Sequence, residues 1–193
     1  IPIIPHETAR FLSTLLTVKR PKEILEIGTA VAFSAGLMCR YIQPEGHVTT
    51  IDRYELMLAE AEKNVKRLGL EDKITIIRGD AAEVLKKLEG PYDFVFLDAA
   101  KGQYIQFLPD ILRLMPIGGV FVADDVLQGG NIAKSRFTLP RRQRTIHKRM
   151  RNFLWDISHL DCLESSIIPI GDGIVFCTKI KEYIPEEGEF SDD

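Results

Sequence analysis

The sequence predicts an α/β domain built on a largely parallel sheet. Short β-branched runs alternate with helical periodicities along most of the chain, the pattern of strand–helix–strand units. The early runs stop at a glycine or an aspartate, namely Gly28, Asp52, Asp80 and Asp98, and a fifth stops at the pair Asp124-Asp125. The last two runs, "CLESSIIPI" and "GIVFCTKI", are joined by Gly171-Asp172-Gly173, a hairpin signal that implies one antiparallel strand, expected at the sheet edge. There is no internal repeat and no linker, so residues 1–193 are expected to form one domain, with 182–193 a loose acidic tail.

The elements follow in order. Pro5 opens a helix whose apolar face is Phe11, Leu12, Leu15 and Leu16. "EILEIG" is a strand ending at Gly28, Ser34 to Ile42 a helix, and "HVTTID" a strand ending at Asp52. Tyr54 to Leu68 is helical and Gly69 caps it. "KITIIRGD" is the third strand, Ala81 to Leu88 a helix, and Gly90-Pro91 a turn. "YDFVFLD" is the fourth strand, followed by a helix from about Gln103 to Met115, and "GGVFVADD" is the fifth. After Gly129-Gly130 a long helix is expected from about Pro140 to His159, with Trp155 in the core.

A chain of 193 residues, 45% hydrophobic, can bury one sizeable core. No apolar run approaches the roughly 20 residues of a membrane span, and the start, Ile1-Pro2-Ile3-Ile4-Pro5, shows no signal-peptide pattern. Cys39, Cys162 and Cys177 have no metal-ligand or redox spacing, which suits a reduced, cytoplasmic protein. His6, His47, His147 and His159 have no ligand spacing either.

Charge is unevenly placed. Residues 134–151 hold Lys134, Arg136, Arg141, Arg142, Arg144, Lys148, Arg149 and Arg151 with no acid, leaving 17 basic against 28 acidic residues elsewhere, a balance of −11. A solvated helix face with Ile146, Met150, Phe153 and Leu154 turned inward is the plain reading. An anionic substrate is the other, since ordinary surface helices mix signs.

In an open parallel sheet the carboxyl ends of the strands form the ligand crevice, so the strand-end acids should converge. Asp80 alone reads as a helix N-cap. The set reads differently: Asp124-Asp125 precede no immediate helix, and carboxylates brought together repel unless a cation joins them. Oxygen donors of this kind suit Mg²⁺ or Mn²⁺. In the first loop, "EIGTAVAFSAG", Ala30 stands where a dinucleotide motif needs its second glycine, and no G-K-[ST] follows. Gly28 with Asp52 at the end of the next strand then suits an adenosine ligand without a diphosphate, such as S-adenosylmethionine. Lys101 stands just beyond Asp98, either as a solvated first-turn lysine or at the site.

"EIGTAVAFSAG", "TIDR", "RGDAAE", "FLDAAKGQY", "VADDV" and "PIGDG", in this order, resemble the cation-dependent O-methyltransferases, the family of catechol and caffeoyl-CoA O-methyltransferases. The resemblance runs from Ile4 to Lys179. It implies a Rossmann-like, S-adenosylmethionine-dependent methyltransferase fold, with a seven-stranded, mostly parallel sheet, one antiparallel strand and helices on both faces. It places Glu26, Gly28, Thr29 and Ser34 at the methionine end of the cofactor, Asp52 on the ribose, Ala81 beside the adenine and Ile4 along the pocket, with Asp80 and Asp98 also at the cofactor. Asp98, Asp124 and Asp125 match the metal ligands, and Lys101 matches the lysine near the reacting oxygen. Asp125 stands where the family usually has Asn, and Ala32 where a Gly is common. The resemblance also implies a homodimer.

The basic pattern "RRQRTIHKRMRNF" looks like that of the bacterial tRNA 5-hydroxyuridine methyltransferases within this family. That implies a tRNA anticodon arm as partner, held by Lys134, Arg136, Arg141, Arg142, Arg144, Lys148 and Arg149, and methylation of a wobble 5-hydroxyuridine. A catechol- or caffeoyl-CoA-type small molecule is the alternative substrate. A cofactor-binding module without catalysis is a further one.

Overall fold

The structure is a computed structural model that describes residues 3–185; the end of the expected acidic tail, 186–193, lies outside them. Six α-helices and seven strands alternate, with 3₁₀ turns between them: α1 His6–Lys19, β1 Glu23–Ile27, α2 Phe33–Met38, β2 His47–Asp52, α3 Glu55–Leu68, β3 Ile74–Arg78, α4 Ala81–Leu85, β4 Phe94–Leu97, α5 Tyr104–Leu114, β5 Val120–Ala123, α6 Arg144–His159, β6 Leu163–Ile168 and β7 Ile174–Lys179. The strands form one sheet in the order β3-β2-β1-β4-β5-β7-β6. It is the seven-stranded, mostly parallel sheet that the resemblance implies.

Pairings among β3, β2, β1, β4 and β5 are parallel, and β7 is antiparallel to both β5 and β6. The antiparallel strand is therefore internal, and β6 forms the edge. The hairpin signal located the reversal but not its place, because a hairpin can fold its second strand inward. Here β7 is the more apolar strand, with Ile174, Val175 and Cys177 fully buried, and burial on both faces favours the inner position.

Strand alternation sorts the core into two layers. Leu25, Ile27, Val95, Leu97 and Phe121 face α4, α5 and α6, while Ile24, Phe94, Phe96, Val120 and Val122 face α1, α2 and α3. The buried Lys179 ammonium joins the sheet to the end of α5, donating to the carbonyls of Leu112 and Met115 at 3.0 and 2.8 Å, near where the α5 dipole favours positive charge.

The order of strand addition reverses between β1 and β4, which are parallel neighbours. β1 leads outward to β2 and β3, and the chain then returns to β4 and β5 on the other side. In such a sheet the crevice opens beyond the carboxyl ends of those two central strands, where Gly28 and Asp98 lie. The last helix starts at Arg144 rather than near Pro140. Residues before it form separate 3₁₀ turns, Asn131–Ala133, Arg136–Thr138 and Arg141–Gln143.

Candidate active site

A cleft of about 270 Å³ occupies the switch point, lined by Gly28, Asp52, Asp80, Ala81 and Asp98 among others. Gly28 sits at φ 108, and a Cβ there would lie 2.0 Å from the Asp98 carbonyl oxygen. Only glycine lets the β1 and β4 ends approach this closely. Asp52 fixes the opposite wall: its carboxylate accepts from the backbone N–H of Ala30 at 2.9 Å, Arg53 at 2.7 Å and Tyr54 at 3.1 Å. Asp80 is the N-cap that its sequence setting suggests, accepting from Ala82 N, and it also lines the cleft and pairs with Arg53 at 2.6 Å. Ala30 and Ala32, standing where glycines were expected, both adopt positive φ, 45 and 61.

Glu26, Thr29 and Ser34 do not line this cleft. They are buried beside it as a polar cluster. Thr50 Oγ1 donates to Glu26 Oε2 and so accepts from the Thr29 hydroxyl at 2.6 Å. Among the described residues Glu26 Oε1 has no partner at hydrogen-bond geometry, although the Ser34 hydroxyl is near enough to act on the carboxylate. Complete burial pushes the Glu26 carboxyl up to about 7, while the Ser34 and Thr50 hydroxyls act against that rise. A buried acceptor left open is costly, and a cationic group entering from the cleft would relieve it. Ile4 is buried among the α1–α3 side chains rather than lining the cleft.

The carboxylates gather beside the cleft. Burial raises Asp98, against which the Lys101 charge acts. Asp124 is buried and pushed up to about 7, first by burial and then by the negative charge of Asp98. Tyr104 holds both strand ends in place, its buried hydroxyl donating to the Asp124 carbonyl at 3.1 Å, with the Leu97 carbonyl 3.5 Å away. From the other side the β6–β7 turn supports the Asp125 loop through Val126 N to Gly173 O at 3.0 Å and Leu127 N to Asp172 O at 2.8 Å. Gly173, at φ 89, leaves room for Leu127. Asp125 itself is at φ 59, donates its N–H to Asp124 Oδ1 at 2.8 Å, and forms an ion pair with Lys101.

Among the described residues no three ligating side chains converge as a metal cluster. Asp98 and Asp124 are close enough to repel each other, and Asp125 is ion-paired with Lys101. The donor set nonetheless fits a divalent ion: two mutually repelling, desolvated carboxylates face one lysine, and hard oxygens of this kind are ligands for Mg²⁺ or Mn²⁺.

Known proteins with this arrangement decide the family. The family model for O-methyltransferases matches residues 2–180. This chain belongs to the O-methyltransferase family. It is 31% identical to a caffeoyl-CoA O-methyltransferase of Populus kitakamiensis, over 92% of this chain and 78% of that protein. It is 33% identical to a catechol O-methyltransferase of Niastella koreensis, over 74% and 66%. Among solved structures, a Staphylococcus aureus protein assigned as a caffeoyl-CoA O-methyltransferase superposes with a TM-score of 0.86 at 28% identity, covering 93% of this chain and 86% of that one. The reading as an inactive binding module falls away.

The basic flank of the O-methyltransferase divides in two. Arg144 is half-buried and donates to the carbonyls of Leu139 at 3.1 Å and Phe137 at 3.4 Å, Arg149 donates to Gly102 O at 3.3 Å, and Lys134 donates to Asn131 Oδ1 at 2.9 Å. These side chains help hold the 3₁₀ turns against α6. Arg136, Arg141, Arg142 and Lys148 are exposed and have no ion-pair partner among the described residues. Met150, Phe153 and Leu154 are the inward face, whereas Ile146 is 41% exposed and Trp155 65%. Trp155 is thus outside the core, contrary to the sequence expectation, because α6 turns Phe153, Leu154 and Ile157 to the sheet.

Thr50, Tyr104, Tyr54 and Gln103 were not anticipated as site residues. Thr50 had a signal: pairing β1 with β2 so that Gly28 and Asp52 meet the same crevice puts Glu26 opposite Thr50, the observed register. Tyr104 had none, since its hydroxyl acts through backbone carbonyls of two distant strands.

Proposed function

We propose that this O-methyltransferase moves a methyl group from S-adenosylmethionine to one hydroxyl of an adjacent oxygen pair on a catechol- or caffeoyl-CoA-type small molecule. Asp98 carries the reading. It is the residue shared by the cofactor cleft and the carboxylate group, so a methyl donor in the cleft and an oxygen held by the carboxylates would be neighbours. The names of the Populus and Niastella relatives support the substrate class.

Each residue has a part. Asp52 and the loop it braces would receive the ribose, Ala81 the adenine side, and the open Oε1 of Glu26 the cofactor's ammonium group. Asp98, Asp124 and Asp125 would hold a Mg²⁺ or Mn²⁺ ion, which when bound supplies Lewis acidity that favours the ionised substrate hydroxyl. Lys101 Nζ would stabilise that anion, and in its neutral form would take the hydroxyl proton. Burial around Asp98 and Asp124 excludes water and strengthens these charges.

The four exposed cations favour a second reading, in which the adjacent oxygen pair is the 5-hydroxyl and 4-carbonyl of a wobble 5-hydroxyuridine in tRNA. The relatives named above do not support it; the charge distribution does. Labelled methyl transfer should be followed with catechol, caffeoyl-CoA and tRNA containing 5-hydroxyuridine, with and without chelator. Turnover of a small substrate, abolished by chelator and restored by Mg²⁺ or Mn²⁺, is the expected result. Turnover of the hydroxylated tRNA alone would replace the first reading by the second, and full activity in excess chelator would remove the metal from both.

A further inference from the structure

The outer face of α6 carries a continuous path that the small-molecule reaction does not use. Near the start of the helix a groove of about 220 Å³ is lined by Arg136, Arg144, Lys148 and Asn152. Beside it runs another of about 370 Å³, shared through Arg136, Lys148 and Asn152 and reaching Arg151. Arg151, whose guanidinium donates one N–H to Ile132 O at 3.1 Å and keeps its others for a ligand, then borders a third, of about 250 Å³, walled by Ile132, Leu154, Trp155 and His159. No acid lines any of the three. The path begins where Arg149 touches Gly102, next to Lys101, and Trp155 lies six residues further on, about 9 Å along the helix axis.

The indole at its far end is held, yet open. Trp155 is 65% exposed. The His159 ring stacks on it with centroids 3.9 Å apart and 19° between planes, and His159 Nδ1 is fixed by the Trp155 carbonyl at 2.7 Å. An aromatic plane locked beside a track of cations has the two components by which proteins grip unpaired nucleotides: charge for the backbone and a flat face for a base.

We infer that α6 is a docking surface for single-stranded or loop RNA, with a base stacked on Trp155 and phosphates along Arg136, Lys148 and Arg151. This rests on the second reading above, in which the substrate is an RNA base. Charge and the indole together select the occupant: a second copy of this chain, acidic outside residues 134–151, would match the cations but bring no bases to the indole, whereas RNA supplies both.

Trp155 is the chain's only tryptophan, so its fluorescence reports the contact directly. A hairpin RNA with an unpaired loop should quench it with a saturable, salt-sensitive profile, and inorganic polyphosphate should not. Trp155→Ala should weaken the RNA about 5- to 150-fold, Trp155→Phe far less, and neither should change the slope of affinity against salt, because no charge is removed. Salt-sensitive RNA binding with unchanged fluorescence and an unaffected Trp155→Ala variant would overturn the platform while leaving the RNA reading in place. Absence of RNA binding would remove both. A fluorescence change with protein concentration alone, matched by dimerisation in sedimentation, would assign the face to self-association and overturn the proposal.

Discussion

The switch-point cleft and the basic flank of α6 are built by opposite means. In the cleft nearly every functional group is held by a specific partner. Asp52 has three backbone donors, Asp80 caps a helix, and Glu26 rests on Thr50 in the sheet register. On the flank Arg136, Arg141, Arg142 and Lys148 have no ion-pair partner among the described residues, while Lys134, Arg144 and Arg149 help hold turns together. A site that must place one atom accurately spends its polar groups on mutual fixation. A surface that attracts charge leaves them in water, where each interaction is weak but their number counts.

The sharpest way to break the comparison is at Asp98, which belongs to both cleft and carboxylates. Asp98→Ala should lower kcat by about 10²–10³-fold or more while circular dichroism remains that of the parent; comparable turnover would show that the two halves of the site do not meet there. Glu26 comes next. Its carboxyl is raised from 4.5 to about 7 in the folded protein, so the native state binds its proton more tightly than the unfolded chain. Stability should therefore fall as pH rises from about 4.5 to 7 and then level off, by about 3 kcal/mol from this group. Glu26→Gln should remove that part of the slope in denaturant titrations, leaving the same-signed contribution of Asp124. An unchanged slope would mean that Glu26 is not the buried acid described.

Asp52→Ala should weaken S-adenosylmethionine by about 1–3 kcal/mol, because both the ribose acceptor and the brace of the first loop are lost; calorimetry decides it. On the flank, replacing Arg136 and Lys148 by Ala should flatten the log–log salt dependence of RNA binding by roughly 1.4 without changing the melting temperature. Arg144→Ala should do the reverse, costing about 1 kcal/mol of stability with the slope preserved. If both behave alike, the division of the flank into holding and exposed cations is wrong. The smallest effect is expected at Asp125→Asn, since an amide oxygen remains for a hard cation; turnover and Mn²⁺ affinity should stay near the parent values.

The alternation of strands and helices, the strand-end positions of Gly28, Asp52, Asp98 and Asp124, and the cap at Asp80 were legible in the sequence. Each depends on a local rule: periodicity, a backbone conformation suited to glycine, or a side chain reaching two residues along its own chain. The lining of the cleft by Gly28, Asp52, Asp80 and Asp98 followed from where parallel strands end, and that by Ala81 from the family resemblance. Only the tertiary structure decided that β7 lies inside the sheet and that Lys101 faces Asp125. It alone turned Arg144 and Arg149 to backbone carbonyls and set Trp155 in solvent. Those outcomes depend on which surfaces, far apart in sequence, compete for the same burial and the same hydrogen-bond partners. A one-dimensional pattern records that a residue is apolar or charged. It does not record what stands opposite once α6 has rolled Phe153 and Ile157 onto the sheet, and that choice of face left the indole outside.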